Sequence, residues 1–263
     1  MIVRRGLSVI GVLLVVATIW LGVLATGYPR ALKPQDIAPL VLVDNVRVVS
    51  MAPGLPEAQE NMAVLVMNGV IEKIGPAGSL SIPEAVDGAV LIDGAGKTLA
   101  PGLIDAHVHV WDEAELAGYL AHGVTGVRNM SGMPFHLPLA KRIETGRILG
   151  PDFMTTGPIL NSPGHNQQDN HQLIATAEEA RAAVAKQDKD GYRALKVYSN
   201  LHREAYEAVM DEAGKRGMSV TGHTPEGVRV KGVPYEKPFD IAFEDIELHN
   251  YEFDAFIKFP IAV

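Results

Sequence analysis

From Pro101 onward, short apolar segments alternate with alanine-rich segments, and this alternation limits the folds that the chain can adopt. The predicted strands are residues 101–110, Gly123–Arg128, Phe153–Ile159, Ala194–Tyr198 and Met218–His223. The predicted helices are Asp112–Ala121, Leu137–Gly146, Ala177–Gln187 and a segment between Asn200 and Gly217. Strands that alternate with helices indicate βα units and a parallel sheet, for which a (β/α) barrel is the natural closure.

Two of the predicted helices begin at residues that are typical of helix N-termini. Thr176 and Glu179 have the spacing of a capping box, in which each side chain bonds a free backbone N–H of the first turn. Asn200 is the predicted cap of the helix that ends before Gly217.

The first predicted strand of this region carries two histidines that are two residues apart. Alternate side chains of a strand point to opposite faces. One face would hold Leu103, Asp105, His107 and His109, and the other Ile104, Ala106, Val108 and Val110. Two neutral imidazoles on one face, with apolar packing behind them, can bind one metal ion. The chain has no cysteine, so any metal must take nitrogen and oxygen ligands.

The segment Pro101-Gly-Leu-Ile-Asp-Ala-His-Val-His109 resembles the PG(L/F)IDxHxH signature of the amidohydrolase superfamily. That resemblance implies an α/β fold of the TIM-type (β/α)8 barrel class. It also implies hydrolysis of amide and related bonds with one or two metal ions at the mouth of the barrel. We therefore expect His107 and His109 to be metal ligands and a divalent ion, zinc in particular, to be the cofactor.

Two further positions extend the resemblance to the branch that includes imidazolonepropionase and the metal-dependent prolidases. Lys196 stands in Leu195-Lys-Val-Tyr198, and His223 stands in Gly222-His-Thr-Pro225. In that branch the lysine takes up carbon dioxide, and its carbamate bridges two metals, while the histidine is a ligand. The alternatives are a solvated lysine at a strand end and a hydrogen-bonded loop histidine.

His249 departs from the pattern of this branch. Relatives end strand six in Ser-Ile-Glu-His, whereas this chain has Asp245-Ile-Glu-Leu-His249, with the histidine one residue late. A slip of one residue turns a side chain to the other face of a strand. Either a local bulge restores the direction of His249 or the ligand is lost.

The remaining candidates have weaker signals. Asn129 stands where relatives often have aspartate, and Tyr198 could line the pocket or serve packing alone. The five other histidines match no ligand position and are predicted to be solvated or structural: His122, His136, His165, His171 and His202.

The N-terminal segment has the pattern of an export signal. Arg4 and Arg5 precede an apolar run from Leu7 to Ala25, close to the roughly 20 residues that span a bilayer. Residues 1–28 are predicted to be a signal anchor or a cleaved signal peptide, with the anchor favoured and the body on the periplasmic or extracellular side. A buried N-terminal helix is the alternative. Residues 29–39 are predicted to be a linker, because they contain three prolines, Pro29, Pro34 and Pro39.

Residues 40–100 are rich in short β-strands. The predicted strands are Leu40–Ser50, Ala63–Val66, Val70–Ile74 and Val90–Ile92, with Asn68-Gly69 as a hairpin turn. The resemblance implies a small β-sandwich segment beside the barrel. An independent β module is the alternative.

The region from residue 101 to 263 is shorter than the ~250 residues of a complete eightfold barrel. We expect an incomplete barrel of about six strands, without the strand-eight aspartate that the family uses as a proton carrier. An open barrel leaves unpaired strand edges, which favours self-association.

The net charge of −8, from 31 acidic and 23 Lys and Arg residues, argues against nucleic acid as a partner.

The sequence leaves three hypotheses about function. The first is an anchored or exported metal-dependent amidohydrolase that acts on a small amide, dipeptide or cyclic amide. The second is a non-catalytic, truncated relative that binds metal or a partner, and the third is a scaffold without metal.

Overall fold

The computed structural model describes residues 11–22, 32, 38–54, 56–83, 86–164 and 167–223. His165 and His249 lie outside these ranges. Residues 11–22 form helix α1, whose side chains are exposed. None of the helices in the described ranges is both long enough and apolar enough to cross a membrane. Most of the predicted signal segment lies outside the described residues, so its role stays a prediction.

The first part of the body is a five-stranded sheet. Its strands are β1 (Leu40–Val48), β2 (Gln59–Met67), β3 (Val70–Pro76), β4 (Val90–Asp93) and β5 (Thr98–Leu99). The order is β3-β2-β1-β4, with β5 also paired to β1. The first three strands are antiparallel neighbours, and β4 and β5 run parallel to β1.

The predicted hairpin turn is present between β2 and β3. Asn68 and Gly69 have φ values of 50° and 81°, as a tight turn between twisted strands requires. Val46, Val48 and Val64 form the apolar core on one face of the sheet. The described strands of this region form one sheet, and the pairing of two sheets into a sandwich stays a prediction.

The second part alternates parallel strands with helices. The strands are β6 (Leu103–Val108), β7 (Val124–Asn129), β8 (Asp152–Thr155), β9 (Ile159–Asn161), β10 (His171–Leu173), β11 (Ala194–Val197) and β12 (Ser219–Gly222). The helices are α2 (Glu115–Ala121), α3 (His136–Glu144), α4 (Ala177–Asp190) and α5 (Arg203–Arg216). One sheet has the order β6-β7-β8 and the other β10-β9-β11-β12, and every pairing is parallel. The result is a mixed α/β fold in which no sheet of the described residues closes.

The predicted strand Phe153–Ile159 is divided into β8 and β9, which belong to different sheets. Pro158 has no backbone N–H and interrupts the pairing. The backbone on either side of the break still joins the sheets, because Thr156 N–H donates to Asn129 O at 3.0 Å and Gly157 N–H to Ala194 O at 2.9 Å. Apart from β10, which pairs with β9, five segments are therefore neighbours in chain order: β6, β7, the interrupted strand of β8 and β9, β11 and β12.

The main core lies between the second parallel sheet and helices α4 and α5. Leu160, Leu195 and Val197 face this core with Val184 and Val209, each at most 1% exposed. Because side chains alternate along a strand, the neighbours of these residues face the opposite side, where Lys196 lies.

The helix ends agree with the sequence at one place and differ at another. Thr176 Oγ1 accepts a hydrogen bond from Glu179 N–H at 3.2 Å, as the capping pattern predicts. The prediction that Asn200 caps α5 is wrong, since the cap position is His202, which makes no side-chain cap bond. The Asn200 N–H instead donates to the side chain of Asn161 at 3.0 Å.

Leu32, in the predicted linker, is fully buried. It packs against Leu116, Leu139 and Ile148, and its carbonyl oxygen accepts a hydrogen bond from Leu149 N–H at 2.9 Å. The leucine side chain thus occupies an apolar site beside α2 and α3, and the assignment of residues 29–39 to a linker stays a prediction.

His136 has a structural role, in agreement with the sequence. It is fully buried, its Nδ1 accepts a hydrogen bond from Met133 N–H at 2.9 Å, and its Nε2 lies 2.8 Å from the carbonyl oxygen of Val110. A carbonyl oxygen only accepts, so Nε2 carries the proton and the ring is neutral. Burial lowers the pKa of His136.

This lowered pKa predicts a stability that depends on pH. The contribution of neutral His136 is fully present above the unfolded pKa of about 6.5 and is lost as the pH falls toward the folded pKa. Urea unfolding at pH 7.5 and pH 5.5 is expected to show a lower free energy at pH 5.5. In His136→Leu, the part of this decrease that His136 causes should disappear. The variant should also lose about 1–3 kcal/mol of unfolding free energy at pH 7.5, because the groups that bond His136 are left without a partner. An unchanged pH dependence in His136→Leu would contradict the assignment.

Candidate metal and catalytic site

The two histidines of the first parallel strand lie beside each other. The ring centres of His107 and His109 are 5.3 Å apart, and their planes are inclined by 55°. The ring centre of His223 is 6.4 Å from that of His107. Residues far apart in the chain are therefore brought to one end of the parallel strands.

The strict alternation predicted from Leu103 to His109 is wrong. The pairing of β6 with β7 is irregular between Leu103 and Ile104 and again between Asp105 and Val108. On the face predicted to be packed, Ile104 is 47% exposed and Ala106 is also exposed, so the apolar packing behind the strand begins only at Val108. Among the described residues, β6 has a neighbouring strand, β7, on one side only.

Lys196 and His223 come from neighbouring strands. Lys196 is fully buried and pairs with Thr221 of β12. His223 follows β12, and its N–H donates to Val197 O at 3.1 Å. Gly222, between Thr221 and His223, has a φ of 149°, which side chains rarely allow, and its Cα hydrogen faces the backbone of Val197. This glycine lets His223 approach the end of β11.

The electrostatic environment favours neutral imidazoles. Burial, followed by the charge of Lys196, lowers the pKa of both His107 and His109. The same two causes, in the same order, lower the pKa of His223 to about 4. At neutral pH the three rings are therefore uncharged, which is the form that binds a metal.

Tyr198 lies against this group, as its predicted place at a strand end allows. Its ring centre is 4.2 Å from that of His223 and 4.7 Å from that of His171. The tyrosine therefore forms one wall beside His223.

The spacing of His107 and His109 fits one metal ion. Two imidazoles on one tetrahedral zinc ion, with Zn–N bonds of about 2.0–2.1 Å, place their ring centres roughly 5 Å apart. Within the described residues, no group of three His, Cys, Asp or Glu side chains is arranged to hold a metal ion. The pair thus supplies half of a tetrahedral set. Lys196, His223 or a residue outside the described ranges, such as His249, would have to complete it.

Asn129 acts on the other side of the sheet. Its Oδ1 accepts a hydrogen bond from Val110 N–H at 2.9 Å, and its Nδ2 donates to Thr155 Oγ1 at 3.0 Å. The residue therefore fixes the backbone that follows His109, and it contacts none of the candidate ligands directly.

Two residues beside the site were not predicted to be functional from the sequence, which indicated only a solvated or structural role for His171. Arg128 is 3% exposed, and its Nε donates to Ala106 O at 2.8 Å, next to His107. His171 is 9% exposed and adjoins Tyr198. Both belong to stretches that lack a diagnostic pattern, since β10 is only three residues long. The alternation of β7 could have indicated the inward direction of Arg128.

Comparisons with known proteins give partial similarities. No family model matches the chain. A dihydroorotase of Geobacter sulfurreducens is 32% identical over 105 residues, which is 38% of this chain and 23% of that protein. A solved structure of a Bifidobacterium longum protein described as a prolidase superposes with a TM-score of 0.56 at 29% identity, over 73% of this chain and 51% of that one.

The structure of a bottromycin amidohydrolase is similar in fold. It superposes with a TM-score of 0.64 at 24% identity and covers 84% of this chain and 52% of its own. The chain thus spans under a quarter of the curated relative and about half of each solved structure. The comparisons support the amidohydrolase superfamily, and the narrower imidazolonepropionase and prolidase branch stays a prediction.

Proposed function

We propose that this chain, whose similarities support the amidohydrolase superfamily, carries part of the metal site of a hydrolase that cleaves a C–N bond. The observation that carries the proposal is the convergence of His107, His109, Lys196 and His223 at one end of the parallel strands. The names of the similar proteins, a dihydroorotase, a prolidase and an amidohydrolase, all denote hydrolysis at such bonds.

We propose further that the parallel strands are the first five of a TIM-type (β/α) barrel. Two observations support this proposal. Apart from β10, the parallel strands from β6 to β12 are neighbours in chain order, and the candidate residues lie at the carboxyl ends of their strands. Active sites of such barrels lie at the carboxyl ends of their strands. His109 follows β6, Lys196 stands near the end of β11, and His223 follows β12.

His107 and His109 would hold one divalent ion, and Lys196, as a carbamate, and His223 would complete the site for one or two ions. Zinc suits a set of imidazole and oxygen ligands. When bound, such an ion supplies Lewis acidity and lowers the pKa of a coordinated water. The imidazoles are already neutral at pH 7 because of burial and the nearby lysine, so they need lose no proton to bind.

The chain's own residues would hold and orient the substrate. Tyr198, whose ring lies against that of His223, would form an aromatic wall on one side of the site. Arg128 is tied to the backbone at Ala106 and adds positive charge beside His107. A small amide, a dipeptide or a cyclic amide is the substrate class that we propose for this setting.

The sequence pattern alone supports further proposals. These are residues 1–28 as a signal anchor with an exported body, 29–39 as a linker, 40–100 as a sandwich segment and 101–263 as the barrel part. Exposed apolar residues at the edges, such as Leu91 at 64% and Leu103 at 62%, would support self-association or cover by another segment.

Turnover by the full chain tests the proposed function. The zinc-loaded protein would be assayed on dihydroorotate, on Ala-Pro and related dipeptides, and on N-acetyl amino acids. We expect zinc-dependent hydrolysis of at least one class, lost on chelation and in the His107→Ala/His109→Ala double variant. A His122→Ala variant is the matched control, because His122 is exposed and its ring bonds only Gly118 O among the described contacts.

Two results would contradict the proposal. Zinc binding without turnover of any class would favour a metal-binding protein that is not an enzyme. Turnover that survives in the double variant would place the chemistry elsewhere.

A further inference from the structure

We propose that His171 is a substrate-binding residue, whose Nε2–H donates a hydrogen bond to a carboxylate group of the substrate. The inference rests on the proposed function and narrows its substrate to amides that carry a free carboxylate, such as an N-acyl amino acid or a dipeptide. His171 stands on β10, outside the positions for which the sequence predicts a metal ligand.

The strand register places His171 on the site side of the sheet. His171 of β10 pairs with Ile159 of β9, and Ile159 pairs with Lys196 of β11. Residues that pair across neighbouring strands share a face. The adjacent row, with Leu160 and Val197, faces the helical core instead. His171 is therefore two strands from Lys196 on the same face.

The contacts between aromatic rings also place His171 beside the candidate site. The ring of His171 lies against one side of Tyr198, and the ring of His223 lies at 4.2 Å from the same tyrosine. His171 is also close enough to His223 to contribute to its electrostatic environment. Tyr198 thus stands between the proposed metal ligand His223 and His171.

A chain of hydrogen bonds fixes the proton of His171. Asn200 N–H donates to Asn161 Oδ1 at 3.0 Å, which identifies the oxygen of that side-chain amide. The other amide atom, Nδ2, is 3.2 Å from His171 Nδ1 and can only donate. Nδ1 of the neutral ring is then the acceptor, and the proton is on Nε2.

This Nε2–H group finds no hydrogen-bond partner among the described residues. Only 9% of the surface of His171 is exposed, so bulk water has little access to this N–H group. Buried donors are nearly always paired in folded proteins. A fixed, buried and unpaired donor that adjoins the site is the arrangement expected of a group that receives a ligand oxygen.

The charges around the site favour an anionic oxygen. The guanidinium of Arg128, bonded to Ala106 O, places positive charge beside His107, whereas Lys196 carries no positive charge as the proposed carbamate. Asp105 is the acidic residue that acts in the opposite direction on His107. Hydrogen bonds to a charged acceptor are roughly twice as strong as those between neutral groups. A carboxylate gains more from His171 in this environment than a neutral carbonyl does.

Binding of a matched pair of probes tests the inference. Methanesulfonyl-L-alanine has a free carboxylate and a sulfonamide that is not readily hydrolysed, and its carboxamide lacks only the charge. Titration calorimetry of the zinc-loaded full chain is expected to show the carboxylate probe bound about tenfold or more tighter. In His171→Phe this preference should vanish. In His171→Gln, whose Nε2 can still donate, most of it should remain.

Zinc content and nitrogen NMR separate this inference from the proposed function. Each variant should keep the zinc content of the wild type, and His122→Gln should match the wild type in every respect. In ¹⁵N-histidine spectra, His171 is expected in the Nε2–H form and to shift on addition of the carboxylate probe, with or without zinc. An Nδ1–H form, or equal probe preference in His171→Phe and wild type, would overturn the inference while leaving the metal site intact. Absence of zinc from the wild type would overturn the proposed function, and the NMR result would still decide the role of His171.

Discussion

Replacing Lys196 with methionine is expected to remove at least half of the bound zinc and all zinc-dependent turnover, and to leave the chain folded. Every residue of β11 is buried, and Lys196 is close enough to His107, His109 and His223 to lower the pKa of each. Methionine has a similar length and no charge, so it fills the same volume. Elemental analysis for zinc and thermal unfolding of the metal-free protein measure the two effects.

Lys186→Met is the matched control for this substitution. Lys186 lies on helix α4 with its side chain 66% exposed, where its ion pair with Asp190 contributes little to stability. Zinc content and turnover should be unchanged in this variant. A carbamate on Lys196 should also give a carbonyl signal in ¹³C NMR after exposure to ¹³C-bicarbonate. If Lys196→Met keeps its zinc and its turnover, the lysine has no part in the site.

Replacing Gly222 with alanine is expected to destabilise the chain by about 2–4 kcal/mol and to displace His223. A Cβ at this position would lie 2.1 Å from the carbonyl oxygen of Val197, which is backbone and cannot move aside cheaply. The φ of 149° adds strain for any side chain. Urea unfolding measures the loss, and zinc content reports the displacement of His223.

Gly214→Ala is the control for the glycine substitution. Gly214 lies within helix α5, and a Cβ there would meet no atom within 4 Å. Alanine in a helix interior is favoured over glycine by about 0.5–1 kcal/mol, so this variant should gain stability. A Gly222→Ala variant as stable as the wild type would show that β12 does not approach β11 as described.

The parallel βα architecture could be predicted from the sequence because each unit carries its own local signal. The alternation of short apolar strands with alanine-rich helices located β7, β11, α4 and α5 close to their observed bounds. The break between β8 and β9 was missed, although Pro158 is a local reason for it. Strand β10 was also missed, since its pairing with β9 depends on a partner twelve residues away rather than on its own pattern.

The site could be predicted only where chemistry is tied to a strand end. His107, His109, Lys196 and His223 were selected by resemblance, and the fold brings them together. The directions of the β6 side chains could not be predicted from strict alternation, because the pairing of β6 with β7 is irregular at two places. His171 could not be identified, because its significance comes from Asn161, Tyr198 and Lys196, which are distant in the chain and adjacent only in the folded sheet.

The number of zinc ions bound per chain, in the wild type and in the His107→Ala/His109→Ala double variant, tests the central claim most directly. Metal-free protein would be equilibrated with zinc and bicarbonate, freed of excess metal and analysed for zinc. We expect one or two ions per chain in the wild type and at least one fewer in the double variant, with both proteins folded. A wild type without bound zinc, or a double variant with undiminished zinc, would contradict the claim that these histidines form a metal site.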